Sequence, residues 1–245
     1  MSVKKMELIE ISFHSDGLML NGTLHLPAID QPPVVIGSHG LYSSQESPKQ
    51  IALAQACNVL GMAYFRFDHR GCGRSQGEFD QVTSLAARCT DLKKAVEAIK
   101  NRNEIDHRIG LFGSSMGGTV CLNVCPELKT NAIVTFAAPL RSRIGDWRLR
   151  RPNDPETPGI YLDAAKKEFD ISEHLSQVSN LLIIHGARDK TVPLSHAEEI
   201  HRLAANPKKL IVQQNGDHRM SIENHQLQFI REASRWFKSG FRGGN

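Results

Sequence analysis

The chain has 245 residues, 40% of them hydrophobic and 23% charged, with 19 glycines and 11 prolines. That length is ample for a sizeable buried core, and the composition excludes a disordered, collagen-like or coiled-coil chain. Thirty Lys and Arg against 26 Asp and Glu leave a formal charge of +4, a mild excess rather than the basic stripe of a dedicated nucleic-acid binder.

The opening MSVKKMELIEIS carries two lysines with no apolar h-region behind them, so no secretory leader is expected. No apolar run approaches the roughly 18 residues that cross a bilayer. A soluble cytoplasmic protein with a single core follows as the expectation, with neither nucleic acid nor membrane as a partner. MELIEISFH is followed by SDG and then LMLNGTLHLP, in which Leu18, Leu20, Gly22, Leu24 and Leu26 alternate. Alternation predicts strands with one buried face, and Asp16-Gly17 predicts a hairpin turn between them.

After Pro32-Pro33 the pattern changes. VVIGSHG, Val34 to Gly40, is a short continuous apolar run that predicts a strand buried on both faces. A helix is predicted from about Ser47 to Val59, then GMAYFRFD as a buried strand. Residues 83–100 place Leu85, Ala86, Leu92, Val96 and Ile99 at helical spacing. RIGLFG reads as a strand, Met116 to Cys125 as a helix, and NAIVTFAAP as a strand. Strand and helix in alternation predict a parallel sheet with crossover helices.

The alternation breaks between about Leu140 and Val178. RSRIGDWRLRRPNDPETPG has three prolines and a run of charge, and a short helical piece is predicted around Asp163 to Phe169. This segment, 140–178, reads as a small cap inserted between core segments 1–139 and 179–245. LLIIHG then restarts the sheet, followed by a helix near Ser195 to Ala205, the strand KKLIVQQ and a closing helix over 221–238. The tail SGFRGGN is expected to fray.

Cys57, Cys72, Cys89, Cys121 and Cys125 are an odd number, which reads as reduced thiols rather than a disulfide framework. Cys121 and Cys125 can share a helix face, but two soft ligands without a nearby His or Cys pair do not close a zinc site. Small buried packing residues are the better account.

RIGLFG runs into Gly113-Ser114-Ser115-Met116-Gly117-Gly118 and then into a predicted helix. This is G-x-S-x-G in strand–turn–helix context, a nucleophile elbow. The turn is so sharp that side chains two residues before and after the serine would collide, hence Gly113 and Gly117. A serine hydroxyl needs a base, and the base needs an orienting acid, following in chain order at later strand ends. LLIIHGARDKTVP supplies Asp189, and QQNGDHRM supplies His218 with Gly216 loosening the loop. His185 precedes the acid and His225 falls inside the last helix, so both fit that order less well. His39-Gly40-Leu41 ends the first buried parallel strand. There the Leu41 N–H can face the same space as the Met116 N–H. Two such donors form an oxyanion hole, each worth on the order of 10²–10³ in rate. His39 is read as a structural hydrogen-bonding residue.

Over nearly its whole length the chain resembles the α/β-hydrolase superfamily, in its serine aminopeptidase-like and small-esterase branch. The resemblance rests on GSSMGG and the His39-Gly40 turn. It also rests on the D-x-R-G-x-G-x-S run at Asp68, Arg70, Gly71, Gly73 and Ser75, and the HGxxDxxVP block around Asp189. It implies a mostly parallel sheet with an N-terminal antiparallel hairpin, helices on both faces and a small cap. It implies a triad of Ser115, Asp189 and His218, a structural role for the Asp68–Ser75 loop, and no metal or organic cofactor. The cap resembles the small one of bacterial cinnamoyl and feruloyl esterases. Leu41 departs from the bulky aromatic many relatives carry there. A backbone donor tolerates the change, so only the acyl pocket wall is expected to differ.

The leading expectation is a serine esterase of small-molecule esters, aryl or hydroxycinnamoyl ones among them, working through an acyl-enzyme. A second reading is acyl-thioester or amide hydrolysis. In it, Arg141, Arg143, Arg148, Arg150 and Arg151 meet anionic substrate groups, or Asp154, Glu156 or Asp163 meets a substrate amine. The alternative for the arginines is a solvated cap face. A third reading, from another class, is a non-catalytic binding module, and a homodimer stays open. Residues 140–152 carry five arginines against one aspartate, a local +4, whereas 153–170 hold five acids against two lysines. The charge excess therefore marks a dipolar cap rather than the whole surface.

Overall fold

A computed structural model describes residues 6–142 and 168–242. Ten strands are formed among the described residues: β1 Glu7–Ser15, β2 Leu18–Leu26, β3 Val34–Ser38, β4 Ala63–Phe67, β5 Ile109–Ser114, β6 Ala132–Phe136, β7 Arg141–Ser142, β8 Phe169–Asp170, β9 Leu181–Gly186 and β10 Lys208–Gln213. The helices are α1 Pro48–Val59, the single turn α2 Phe79–Val82, α3 Leu85–Lys100, α4 Met116–Leu128, α5 Leu194–Leu203 and α6 Glu223–Gly240. Eight strands make one sheet in the order β1-β2-β4-β3-β5-β6-β9-β10. β1 and β2 run antiparallel to their neighbours, and from β4 through β10 every pairing is parallel. This is the architecture that the alternating pattern and the Asp16-Gly17 turn predict. Both turn residues have positive φ, 47° and 80°, as a two-residue hairpin of matching twist requires.

The apolar runs serve two cores because successive strand residues face opposite ways. Val34, Ile36, Leu111, Ile133, Leu181 and Ile183 pack beneath α3, α4 and α5. Val35, Phe112, Val134, Phe136, Leu182 and Ile184 pack beneath α1 and α6, against Leu53, Phe229 and Phe237. All five cysteines are buried and unpaired, and burial raises the Cys57 thiol well above its usual range and that of Cys125 to about 12.

Several boundaries differ from the sequence expectation, and four of the differences have a local physical cause or consequence. α3 begins at Leu85, where the Ser84 hydroxyl caps the Ala87 N–H at 3.1 Å. α4 continues through Pro126 to Leu128. A proline removes one helical donor, and the Cys125 Sγ donates instead to the Leu122 carbonyl at 3.4 Å. The predicted helical piece ending at Phe169 is replaced at that residue by β8, which pairs with β7. The tail is ordered through Arg242. Phe241 is 3% exposed, stacks on Phe237 at 6.4 Å, and its carbonyl accepts from the Arg108 guanidinium at 2.8 Å.

The proposed cap lies mostly outside the described residues, as do Arg143, Arg148, Arg150, Arg151, Asp154, Glu156 and Asp163. Its two ends are described. β7 and β8 pair antiparallel across its neck, and Ile171, Leu175 and Val178 are buried in the core beneath α4 and α5. Arg141 is bonded to Asp170 at 3.0 Å and to Glu199 on α5 at 2.7 Å. It therefore ties the β7–β8 pair to α5, and its charge is already engaged. Among the described residues no helix is long and apolar enough to cross a membrane.

Candidate active site

All the parallel strands end on one edge of the sheet, and the sequence-predicted site residues follow those ends. β5 delivers Ser115, which has φ 53° and ψ −124° before α4 begins at Met116. A non-glycine residue there stores on the order of 1–3 kcal/mol of backbone strain, so the surroundings must hold it. They do so with the Ser115 N–H donating to the Phe136 carbonyl at 2.8 Å, and the Ser115 carbonyl accepting from Gly118 N–H at 2.8 Å. A Cβ on Gly113 would overlap the Gly117 carbonyl, and one on Gly117 would overlap the Ser38 carbonyl. The elbow and the end of β3 are thus in backbone contact.

Asp189 follows β9, and His218 follows β10. Their loops are laced together by Ala187 N–H to Gln213 O at 2.9 Å and Arg188 N–H to Gly216 O at 2.8 Å. One carboxylate oxygen of Asp189 accepts from the backbone N–H groups of Thr191 and Val192, both at 2.8 Å. The other lies 2.7 Å from His218 Nδ1, and His218 Nε2 lies 3.1 Å from Ser115 Oγ. With Nδ1–H donating to the carboxylate, Nε2 is left as the acceptor for the serine hydroxyl. The Asp189 side chain is fully buried and that of His218 is 23% exposed, so the imidazole is reachable and its acid is sealed. The Lys49 ammonium braces the histidine loop, donating to the Arg219 carbonyl at 3.0 Å.

The rival histidines are placed elsewhere. His185 is buried, and its Nε2 is 2.8 Å from the Val192 carbonyl and 3.5 Å from Asp189. Burial lowers its pKa and favours the neutral ring. His225 lies on α6, where its carbonyl takes the Gln213 amide at 2.9 Å.

The His39–Leu41 turn lies directly against the serine. A Cβ on Gly40 would sit 3.5 Å from the Ser114 carbonyl and 3.6 Å from Ser115 Cβ. Among the described residues neither the Leu41 N–H nor the Met116 N–H is taken by another group. Met116 is the first residue of α4, where an N–H has no partner within the helix and the helix dipole favours negative charge. His39 is fully buried, and burial holds its pKa well below the usual value. Its neutral ring accepts the His69 N–H on Nε2 at 3.1 Å and donates from Nδ1 to the Gly40 carbonyl at 2.7 Å.

The Asp68–Ser75 loop braces the turn from behind. Asp68 accepts from Gln45 N–H at 2.7 Å, Gln45 Nε2 at 2.9 Å and Arg74 N–H at 3.0 Å. Gly73, at φ 51°, leaves the space that the Asp68 carboxylate fills.

Three residues of this shell escape sequence reasoning: His69, Arg88 and Asp91. Asp91 gathers Ser15 Oγ at 2.7 Å, Arg70 Nε at 2.9 Å and Arg70 Nη2 at 2.7 Å, and these bonds hold its carboxyl below the usual range despite its burial. His69 bridges Asp91, at 3.4 Å, to Ser38 Oγ, at 2.8 Å. This is a second Ser–His–Asp line, but all three side chains are sealed and burial pushes His69 down to about 4. It is a structural strut. The one weak signal for it is a histidine beside Asp68 and Arg70 in the D-x-R-G run.

A family model described as serine aminopeptidase, S33, matches residues 31–151. The uncharacterized protein YfhR of Escherichia coli K12 is 31% identical over 171 residues, 69% of this chain and 57% of that protein. This chain therefore spans little more than half the length of that curated relative. The mitochondrial palmitoyl-protein thioesterase ABHD10 of Mus musculus is 24% identical over 212 residues, covering 77% of this chain and 69% of that one. Among solved structures, Est1E from Butyrivibrio proteoclasticus with ferulic acid bound superposes with a TM-score of 0.81. That match has 19% identity and covers 95% of this chain and 99% of the other. The sheet order, the elbow between β5 and α4 and these likenesses agree: the chain belongs to the α/β-hydrolase superfamily.

Proposed function

We propose that this chain is a serine hydrolase that cleaves small carboxylic esters through an acyl-enzyme. The observation that carries the reading is the hydrogen-bonded line from buried Asp189 through His218 to Ser115 on its strained turn. Ser115 Oγ attacks the ester carbonyl and passes its proton to His218 Nε2. The carbonyl oxygen becomes an oxyanion, received by the N–H groups of Leu41 and Met116. His218 returns the proton to the departing alcohol, and the Ser115 acyl ester remains. Water, deprotonated by the same imidazole, then attacks that ester and releases the acid and the free serine. Asp189 keeps Nδ1 protonated throughout and stabilises the imidazolium formed at each step. Neither a metal nor an organic cofactor enters these steps.

Two likenesses bear on the choice of acyl and leaving group. The Est1E complex with ferulic acid supports aryl or hydroxycinnamoyl esters, and the relative named a palmitoyl-protein thioesterase supports thioesters as a second reading. The same residues serve both, since only the leaving atom changes. A kinetic panel of p-nitrophenyl acetate, methyl ferulate and butyryl-coenzyme A separates them. Higher kcat/KM on the two oxyesters, lost by at least about 10⁴-fold in Ser115→Ala, is the expected result. Faster cleavage of the thioester would establish the second reading, and undiminished turnover by Ser115→Ala would reject both. A binding module of this fold would turn over none.

A further inference from the structure

Arg88, in the first turn of α3, is the largest wholly buried side chain among the described residues and is 0% exposed. Burying a guanidinium is costly unless a carboxylate accompanies it. Asp91, three residues along the helix, is the obvious candidate but is occupied by Arg70, Ser15 and His69. The hydrogen bonds of Arg88 go instead to three consecutive carbonyls, His39 at 3.1 Å, Gly40 at 3.4 Å and Leu41 at 3.2 Å, and to Cys72 Sγ at 3.4 Å. Its Nε has no partner among the described residues. A cation has been placed behind one turn of backbone, and that turn is the one lying against Ser115.

The peptide plane explains why. In a trans peptide the carbonyl of one residue and the N–H of the next point in opposite directions. The Gly40 carbonyl is held by His39 Nδ1 and by Arg88 Nη1, so the Leu41 N–H is turned to the opposite side. Arg88 grips the preceding and following carbonyls as well, which fixes the planes on either side. Its charge also polarises the Gly40–Leu41 peptide in the sense that strengthens the N–H as a donor.

We propose that Arg88 is a positioning residue of the oxyanion hole, aligning the 39–41 turn so that the Leu41 N–H faces developing negative charge. The proposal rests on the serine-hydrolase reading of Leu41 given above. Arg88 touches no substrate and acts only through the turn. Because the donor matters most when the oxyanion forms, its loss lowers kcat while KM changes little.

The test uses Arg88→Lys and Arg88→Met in the full chain, with melting temperature, kcat and KM on p-nitrophenyl acetate, and affinity for a boronic acid. An ångström of misplacement costs on the order of 100-fold. Arg88→Met is expected to lose about 100-fold in kcat and Arg88→Lys about tenfold, with KM within about threefold of wild type. Boronate affinity is expected to fall in step with kcat/KM, which a purely structural role would not produce. Wild-type kcat and boronate affinity in a folded Arg88→Lys would overturn the proposal, as would a change confined to KM. Should Arg88→Met not fold, Arg88→Lys decides. Should that variant also fail to fold, Arg88 belongs to folding and the proposal falls. Ser115→Ala is the separate control: if it retains turnover, the serine-hydrolase reading itself has failed, whatever Arg88 does.

Discussion

Asp189→Asn is expected to lower kcat by about 10⁴-fold while leaving the melting temperature near that of the native chain. The direction follows from which atoms hold the carboxylate. One oxygen accepts two backbone N–H bonds, from Thr191 and Val192, and only an acceptor can satisfy them. An asparagine must therefore keep its carbonyl oxygen there and present its NH₂ to His218. Facing a donor, Nδ1 becomes the acceptor, the ring proton moves to Nε2, and Nε2 can no longer take the hydroxyl proton of Ser115. The side chain stays sealed and packed, so the loss falls on chemistry rather than on folding. Steady-state kinetics on p-nitrophenyl acetate with a thermal melt checks both halves. A fall of less than tenfold would mean that His218 does not depend on Asp189 for its tautomer.

Gly117→Ala is expected to cost more than about 3 kcal/mol of stability and to abolish turnover. Helix propensity alone argues the other way, since alanine is better than glycine in a helix by about 1 kcal/mol. Steric overlap wins here. The new Cβ would lie 2.6 Å from the Ser38 carbonyl carbon and 2.7 Å from the His39 carbonyl oxygen, both backbone atoms that no rotamer change can clear. Relieving the overlap separates α4 from the 39–41 turn, which parts the two donor N–H groups. Gly40→Ala is the matched comparison. Its Cβ would meet nothing closer than 3.5 Å, so stability within about 1 kcal/mol of wild type is expected. Urea denaturation of the two variants side by side measures the difference. Equal stability would show that the elbow has room the present geometry denies.

The sequence was most legible where chemistry and backbone geometry are written in the same few residues. Gly113 and Gly117 mark the elbow because no side chain fits there, and Asp16-Gly17 marks the hairpin because both residues need positive φ. The order of Ser115, Asp189 and His218 survives because each follows its own strand end, so a correct strand pattern already places them together.

The shell behind the site was not legible, for the opposite reason. α3 reads as an amphipathic helix with Leu85 and Ala86 on its apolar face, yet Ala86 is exposed and Leu85 half-buried, while Arg88 and Asp91 are buried. Charged residues in a periodic pattern read as the solvent side, and only the tertiary fold supplies the carbonyls and ring nitrogens that make their burial tolerable. Phe241 was missed similarly. Its neighbours are small and polar in sequence, and the Phe237 ring and Arg108 guanidinium that order it arrive from packing.

The most direct measurement of the central claim is mass spectrometry of the intact chain after exposure to a fluorophosphonate, followed by peptide mapping. One adduct is expected, on Ser115, absent in Ser115→Ala and formed far more slowly in His218→Ala. Ser38, which has its own histidine and aspartate in line, is expected to stay unmodified because all three are sealed. A folded chain that takes no adduct, or takes it on a residue other than Ser115, would contradict a serine hydrolase built on Ser115, His218 and Asp189.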